Sequence, residues 1–300
     1  MDAGLSRYQW ELALSQALLH KVRAGVYLAV LDADPRVRHC QLAAAAMKAR
    51  SNCMACSGSA LAILGLPNPY FRSWSQVPVT MAAPKSDLRA NIRRSPGWAP
   101  IDTAWGPCTS GIDTAATIAA ELPLPQALMV TDAIARLMAG VTPGQQMTNA
   151  QRIEVASEAC RTEIRRRLTK YSDLPALALA NPAAEAPSES FFRGHMVLQG
   201  YDDPACGVPM RGASGNLYFL DLMLPGLAIE VDGKAKYLDL GVLTEEKRRE
   251  DDLRLTGLDF LRSWVEDLYE DPARQMAQLT QKILGTYPQA YPHLRITTAV

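Results

Sequence analysis

The chain contains no run of about 18 consecutive apolar residues, so no bilayer-spanning helix is expected and a membrane is not among its expected partners. Its first residues lack a basic stretch followed by an apolar segment, so export is not expected and a cytoplasmic location is. There is no internal repeat, no Gly-rich phosphate loop of the P-loop kind and no dinucleotide fingerprint. The four histidines, His20, His39, His195 and His293, have no metal-ligand spacing and read as helix or surface residues. Cysteine is sparse and irregularly spaced, which is not a disulfide framework. Cys53 and Cys56 have the spacing of half a zinc site, but no second Cys/His pair follows, so ordinary buried thiols are expected. Net charge is also lacking, with 31 basic and 31 acidic side chains.

What is present is an uneven distribution of that charge. Residues 1–80 carry 8 basic and 4 acidic side chains, residues 81–185 carry 11 and 10, and residues 186–300 carry 12 and 17. The basic excess at the front is compatible with a phosphate-contacting surface. Three hundred residues exceed one ordinary hydrophobic core, so two or three domains are expected. Between Pro175 and Pro187 the chain turns Ala/Pro-rich, which marks a linker and the main boundary.

Ser6 and Gln9 have the form of a capping box, and Trp10, Leu14 and Leu18 continue an apolar stripe, so a helix is expected from Ser6 to near His20. Lys21–Leu28 alternates like a strand with Gly25 permitting a bend. A helix followed by a basic strand is the second half of a winged helix, with Arg7, Lys21 and Arg23 as candidate DNA-contacting residues. Helices are expected over 39–50, 57–64, 113–121, 125–139 and 149–170, and a strand over Val77–Met81. Ser57 and Ser59 stand at a helix start and read as caps. The run Arg165-Arg166-Arg167 reads as a solvated helix end or, through its clustered charge, a nucleic-acid contact.

Pro187 and Glu189 open a helix running to about Leu198, followed by strands over Cys206–Met210, Leu217–Leu224 and Leu227–Val231. Pro225-Gly226 joins the last two, and a two- or four-residue loop there sets Asp221 opposite Glu230. Like charges so opposed repel, and a divalent cation would offset them. Period-two alternation adds Asp232 to that face, and Lys234 if the strand runs past Gly233. Carboxylates holding Mg²⁺ or Mn²⁺, with a lysine nearby, are the groups that phosphodiester hydrolysis uses. Solvent-facing acids on a half-exposed sheet would show the same spacing.

The longer run Ala228-Ile229-Glu230-Val231-Asp232-Gly233-Lys234-Ala235-Lys236-Tyr237, with Glu246-Lys247-Arg248-Arg249-Glu250-Asp251 and Gly257-Leu258-Asp259-Phe260-Leu261-Arg262, resembles the very-short-patch-repair-like endonuclease domains of the PD-(D/E)XK superfamily, found in actinobacterial and phage proteins. The resemblance covers about 100 residues. It implies a three-layer α/β domain over 181–300, with Glu189 as the acid on the preceding helix and Asp221 on the middle strand. Glu230, Asp232 and Gly233 match the Glu-x-Asp-Gly segment, and Lys236-Tyr237 the Lys-Tyr pair. The chain departs from the superfamily's simplest pattern in carrying Asp232, not lysine, two residues after Glu230. The catalytic lysine would then be Lys234, Lys236 or, from the next helix, Lys247.

At the front, Gly4-Leu5-Ser6 to Gly25-Val26-Tyr27, Cys56-Ser57-Gly58-Ser59-Ala60 and Gly65-Leu66-Pro67 resemble AbiEi-type antitoxins of toxin–antitoxin systems. That implies a winged helix over 1–80, partial here because only five residues precede Ser6, and a mostly helical antitoxin-like region over 81–180. The expectation is therefore an α/β chain with a partial winged helix, a helical α/β module and a nuclease-like domain. Its function would be DNA binding with metal-dependent endonuclease action. The alternative is an antitoxin or repressor that retains an inactive nuclease-like domain and meets a cognate toxin.

Overall fold

A computed structural model describes residues 6–16, 18–23, 26–50, 52–87, 92–94, 97, 99–142, 145–167, 175–234 and 240–286. The chain is mixed α/β and forms two compact units, residues 1–118 and 119–300. The linker expected between Pro175 and Pro187 lies inside the second unit.

The first unit begins with α1 (Arg7–Ser15), closed at its start by the Ser6–Gln9 capping box. The helix stops at Gln16, short of the expected His20, because His20 opens a hairpin of β1 (His20–Arg23) and β2 (Val26–Leu28). What reads as one bent strand is thus two antiparallel ones, pairing Lys21 with Tyr27, and Tyr27 packs on Trp10. Then come α2 (Pro35–Lys48), β3 (Met54–Ala55), α3 (Ser57–Leu64), β4 (Met81–Ala83), β5 (Ile92–Arg94), β6 (Ile101–Thr103), β7 (Gly106–Cys108) and α4 (Gly111–Glu121), within which the division between units falls. The strands form a mixed sheet in the order β5-β4-β3-β7-β6. Ala46 and Met47 of α2 and Ala60 of α3 pack with Ala55, Met81 and Cys108 of the sheet. Gly65 ends α3 in the left-handed conformation, φ 70°, as its position after the apolar run predicts.

Two expectations fail in this unit. No strand covers Val77–Thr80: Pro78 has no N–H to give a ladder, and the N–H of Thr80 donates to Ser59 Oγ at 2.9 Å. Ser57 and Ser59 do not cap α3. Ser59 Oγ also bonds His39 Nε2 at 3.0 Å, and Ser57 Oγ bonds the Tyr70 hydroxyl at 3.1 Å. His39, expected on a helix or at the surface, is on α2 and buried.

The second unit holds α5 (Leu124–Met138), α6 (Ala150–Arg167), α7 (Pro175–Ala178), α8 (Pro187–Leu198), β8 (Ala205–Arg211), β9 (Leu217–Leu224), β10 (Leu227–Asp232), α9 (Leu240–Arg254), β11 (Asp259–Trp264), α10 (Val265–Glu270) and α11 (Pro272–Thr286). Its sheet runs β11-β10-β9-β8, antiparallel except for the parallel β10–β11 pair. One apolar cluster joins Phe191, Phe192 and Met196 of α8 and Met276, Leu279 and Ile283 of α11 to Leu222, Leu224, Leu227, Ile229 and Val231. A second joins Leu253 of α9 to Leu220, Ala228 and Phe260. The sheet is therefore covered by helices on both faces.

Strict alternation would send Leu220 and Leu222 to one face, yet they lie in different clusters. The change falls where Gly207, φ 59°, sits between the Cys206–Leu222 and Val208–Leu220 pairs. A Cβ on Gly207 would lie 3.1 Å from the Ala183 carbonyl oxygen, so the backbone conformation and the close approach both select glycine. Asp221 lies at this change of face.

Helix α8 is fixed to α5 by a fully buried ion pair. Arg193 donates through Nη2 to both oxygens of Asp132, at 2.9 and 2.8 Å, and through Nη1 to Asp203 at 2.7 Å. Burial raises the Asp132 carboxyl even against the pull of Arg193. Removing one partner of such a pair costs roughly 3–5 kcal/mol, because the other charge is left buried. All six cysteines are buried and unbridged. No helix among the described residues is long and apolar enough to cross a membrane.

Candidate carboxylate site

Four carboxylates expected from the sequence come from three elements of the second unit, α8, β9 and β10. Pro187 supplies the first turn of α8, where a missing N–H costs nothing, and Glu189 follows at its third position. The Glu189 side chain turns back to accept from the N–H of Glu185 at 2.8 Å and of Ala186 at 3.1 Å, capping the helix start. It is buried, and burial first and Asp221 second hold its carboxyl well above the usual carboxylate range.

The hairpin register leads up to Asp221 and Glu230 and stops one pair short of them. Leu224 pairs with Leu227, Met223 with Ala228 and Leu222 with Ile229, as the Pro225-Gly226 turn predicts. One residue further the ladder gives way to a side chain: Asp221 Oδ2 accepts from the Val231 N–H at 2.8 Å. Glu230 is 3 % exposed, and its carboxyl is pushed up to about 7 by burial, then by Asp221, against the opposing pull of Arg249. Asp221 thus acts on both Glu189 and Glu230. Glu230 and Asp232 do not face solvent, so the reading of these two as surface acids on an open sheet is not met.

Two arginines to which the sequence pattern gives no role bind these acids. Arg249 of α9 donates through Nη2 to Glu230 Oε1 at 3.1 Å and through Nη1 to Oε2 at 3.4 Å. It also reaches Glu246 Oε2 at 3.2 Å and the Phe219 carbonyl. Arg262 of β11 donates to Asp232 Oδ2 at 2.6 Å and to Glu250 Oε2 at 3.1 Å. Both arginines stand inside the endonuclease-like motifs, but only the packing of α9 and the parallel pairing of Glu230 with Arg262 bring them here.

The remaining expected residues are placed as follows. Strand β10 ends at Asp232, so the alternation does not extend to Lys234. Lys234 is exposed, with Nζ 2.5 Å from Asp267 Oδ1 and its backbone N–H donating to Glu266. Lys236 lies outside the described residues, as does His293, while Lys247 is exposed on α9. In the first unit Arg7 is exposed and paired with Glu11 at 3.0 Å, and Lys21 is exposed on β1. The side chain of Arg23 lies outside the described residues. Of the basic run on α6, Arg165 and Arg166 pair with Glu158 and Glu163.

Among the described residues, no three His, Cys, Asp or Glu side chains are grouped so as to hold a metal ion by themselves. A hard cation such as Mg²⁺ needs less, since one or two carboxylates suffice when water and phosphate oxygens complete its shell. Asp221 and Glu230 are two carboxylates of that kind, and among the described residues the guanidinium of Arg249 bonds Glu230. Comparison of the chain with protein-family models, with curated proteins and with solved structures finds no match.

Proposed function

We propose that the second unit hydrolyses DNA phosphodiester bonds with Mg²⁺ or Mn²⁺ held by Asp221 and Glu230. The observation that carries this reading is the meeting of acids from α8, β9 and β10, where half-buried Asp221 raises the carboxyls of both buried Glu189 and buried Glu230. Carboxylates placed to raise one another in this way cluster at functional sites, because the fold gains nothing from their repulsion. The order α8, β8, β9, β10, α9, β11 also supports it, since Glu189 lies on a helix before the sheet, Asp221 on a strand with strands on both sides, Glu230 and Asp232 on the next strand, Glu246–Asp251 on a helix and Arg262 on the last strand.

A divalent ion there would lower the pKa of a bound water and neutralise charge developing on the phosphate. The chain supplies the rest. Val231 holds Asp221 in place through its N–H. Glu230, buried and raised to about 7 in the metal-free chain, would give up its proton on holding the ion with Asp221. Asp232, bound by Arg262, buttresses the end of β10 beside Glu230. Lys234 is engaged by Asp267, which leaves Lys236 and Lys247 as the lysines of this reading. Arg7, Lys21 and Arg23 of the first unit would contact DNA phosphates.

A second reading is favoured by one specific feature: Arg249 and Arg262 already neutralise Glu230 and Asp232 from within. In that reading the fold is an inactive scaffold, and the protein is a DNA-binding antitoxin or repressor that meets a toxin. Incubating the full chain with supercoiled and linear duplex DNA in Mg²⁺, Mn²⁺ or EDTA separates the two. Cleavage that requires the metal and disappears in Asp221→Asn is expected. DNA binding without cleavage, together with no calorimetric metal uptake at millimolar concentration, would leave the scaffold.

A further inference from the structure

Arg249 stands out among the cations of α9. Lys247 and Arg248 are exposed, whereas the Arg249 side chain is largely buried and bonds both oxygens of Glu230. Its guanidinium spreads its donors over three acceptors: Glu230, Glu246 and the Phe219 carbonyl. Two of these lie outside the carboxylate pair. The guanidinium can therefore release Glu230 and keep hydrogen-bond partners, a condition for a buried charge to move at low cost. Glu246 lies three residues before Arg249 on the same helix face and holds it at 3.2 Å.

We propose that Arg249 is the resident counter-charge of the Asp221–Glu230 pair and that it gates the pair against divalent cations, leaving Glu230 when one binds. This rests on the reading that Asp221 and Glu230 hold the metal. A cation bound to Glu230 would stand within a few ångströms of a guanidinium already 3.1 Å from the same carboxylate, and two positive charges so close in a buried place repel strongly. The two occupants exclude one another. In the free protein the acids of β9 and β10 are then protected from adventitious metal. A bound DNA phosphate, drawing Arg249 toward itself, would open the pair where substrate is present. Such a device fits a nuclease that must remain idle away from its substrate.

The test is calorimetric titration of the full chain with Mn²⁺ and with Mg²⁺, comparing wild type, Arg249→Met, Arg249→Lys and Asp221→Asn. Methionine keeps much of the volume without the charge, and lysine keeps the charge without the fork that bonds both oxygens. Metal binding about tenfold tighter or more in Arg249→Met, with Arg249→Lys between it and wild type, is expected. In EDTA, Arg249→Met melts below wild type, because Glu230 loses its partner. If wild type binds metal, Asp221→Asn does not, and Arg249→Met binds no more tightly than wild type, the gate is overturned while the metal-binding reading stands. If neither wild type nor Arg249→Met takes up metal at millimolar concentration, both are overturned. Should Arg249→Met fail to fold, Arg249→Lys decides alone: tighter binding supports the gate, and equal or weaker binding overturns it.

Discussion

Replacing Asp221 by Asn removes one charge from the buried carboxylates while keeping their shape and an oxygen that can accept the Val231 N–H. The size of the effect follows from Glu230, whose carboxyl rises from 4.5 to about 7. A folded value above the unfolded one means that the folded chain binds this proton more tightly. Its stability is therefore highest below about pH 4.5, falls as pH rises through the window up to about 7, and stays lower above it. At about 1.4 kcal/mol per pH unit, ionising Glu230 costs the fold roughly 3 kcal/mol. Burial is the larger cause and Asp221 the second, which puts the part belonging to Asp221 on the order of 1 kcal/mol. Glu189, raised by burial and then by Asp221, shifts in the same direction. Asp221→Asn is therefore expected to stabilise the metal-free protein by about 1 kcal/mol near pH 8 and by almost nothing near pH 5, where Glu230 already holds its proton. For a unit of this size that is about 2–4 °C in Tm. Thermal unfolding of wild type and variant in EDTA at both pH values measures it. A variant that melts with or below wild type near pH 8, or a difference that is the same at both pH values, refutes the reasoning.

Gly194→Ala places a Cβ 2.5 Å from Pro125 Cα, a backbone atom that cannot swing aside, so α8 must draw away from α5. A loss of about 1–3 kcal/mol and a Tm lower by several degrees are expected, and an unchanged melt would mean that the two helices do not meet there. Replacing Arg7, Lys21 and Arg23 together by alanine is expected to weaken binding to duplex DNA and to reduce the slope of log K against log salt by about one for each phosphate no longer neutralised. Gel-shift titrations at several salt concentrations report both, and unchanged affinity and slope would remove these residues from the DNA-contacting surface.

The local parts of the second unit were legible from sequence because their signals are local. Pro187 and Glu189 mark the start of α8, Pro225-Gly226 marks the turn, and apolar alternation gives β8 to β10 to within a residue or two. The hairpin register is itself a local consequence of the turn, so the pairs from Leu224–Leu227 to Leu222–Ile229 could be counted out in advance, whereas the ladder stops one pair short of Asp221 and Glu230. Where reasoning from pattern went astray, the cause was a partner distant in sequence. Val77–Thr80 is not a strand because Ser59 takes the Thr80 N–H, and Lys234 leaves the site for Asp267. Arg193 lies in an ordinary-looking helical stretch, and its role depends on Asp132, 61 residues earlier.

The same distinction bears on what the site can do. Two opposed carboxylates on a hairpin imply that some positive charge must come from elsewhere, and from sequence a metal ion is the simplest source. The fold supplies part of it, through Arg249 at Glu230 and Arg262 at Asp232, with Arg262 shared by Glu250. Asp232 is thereby bonded by Arg262, while Arg249 divides its donors between Glu230 and Glu246. In the metal-free chain burial first and Asp221 second push the Glu230 carboxyl up to about 7. A cation entering the pair must displace both the Glu230 proton and Arg249, so metal binding, proton release and rotation of one arginine become a single linked event.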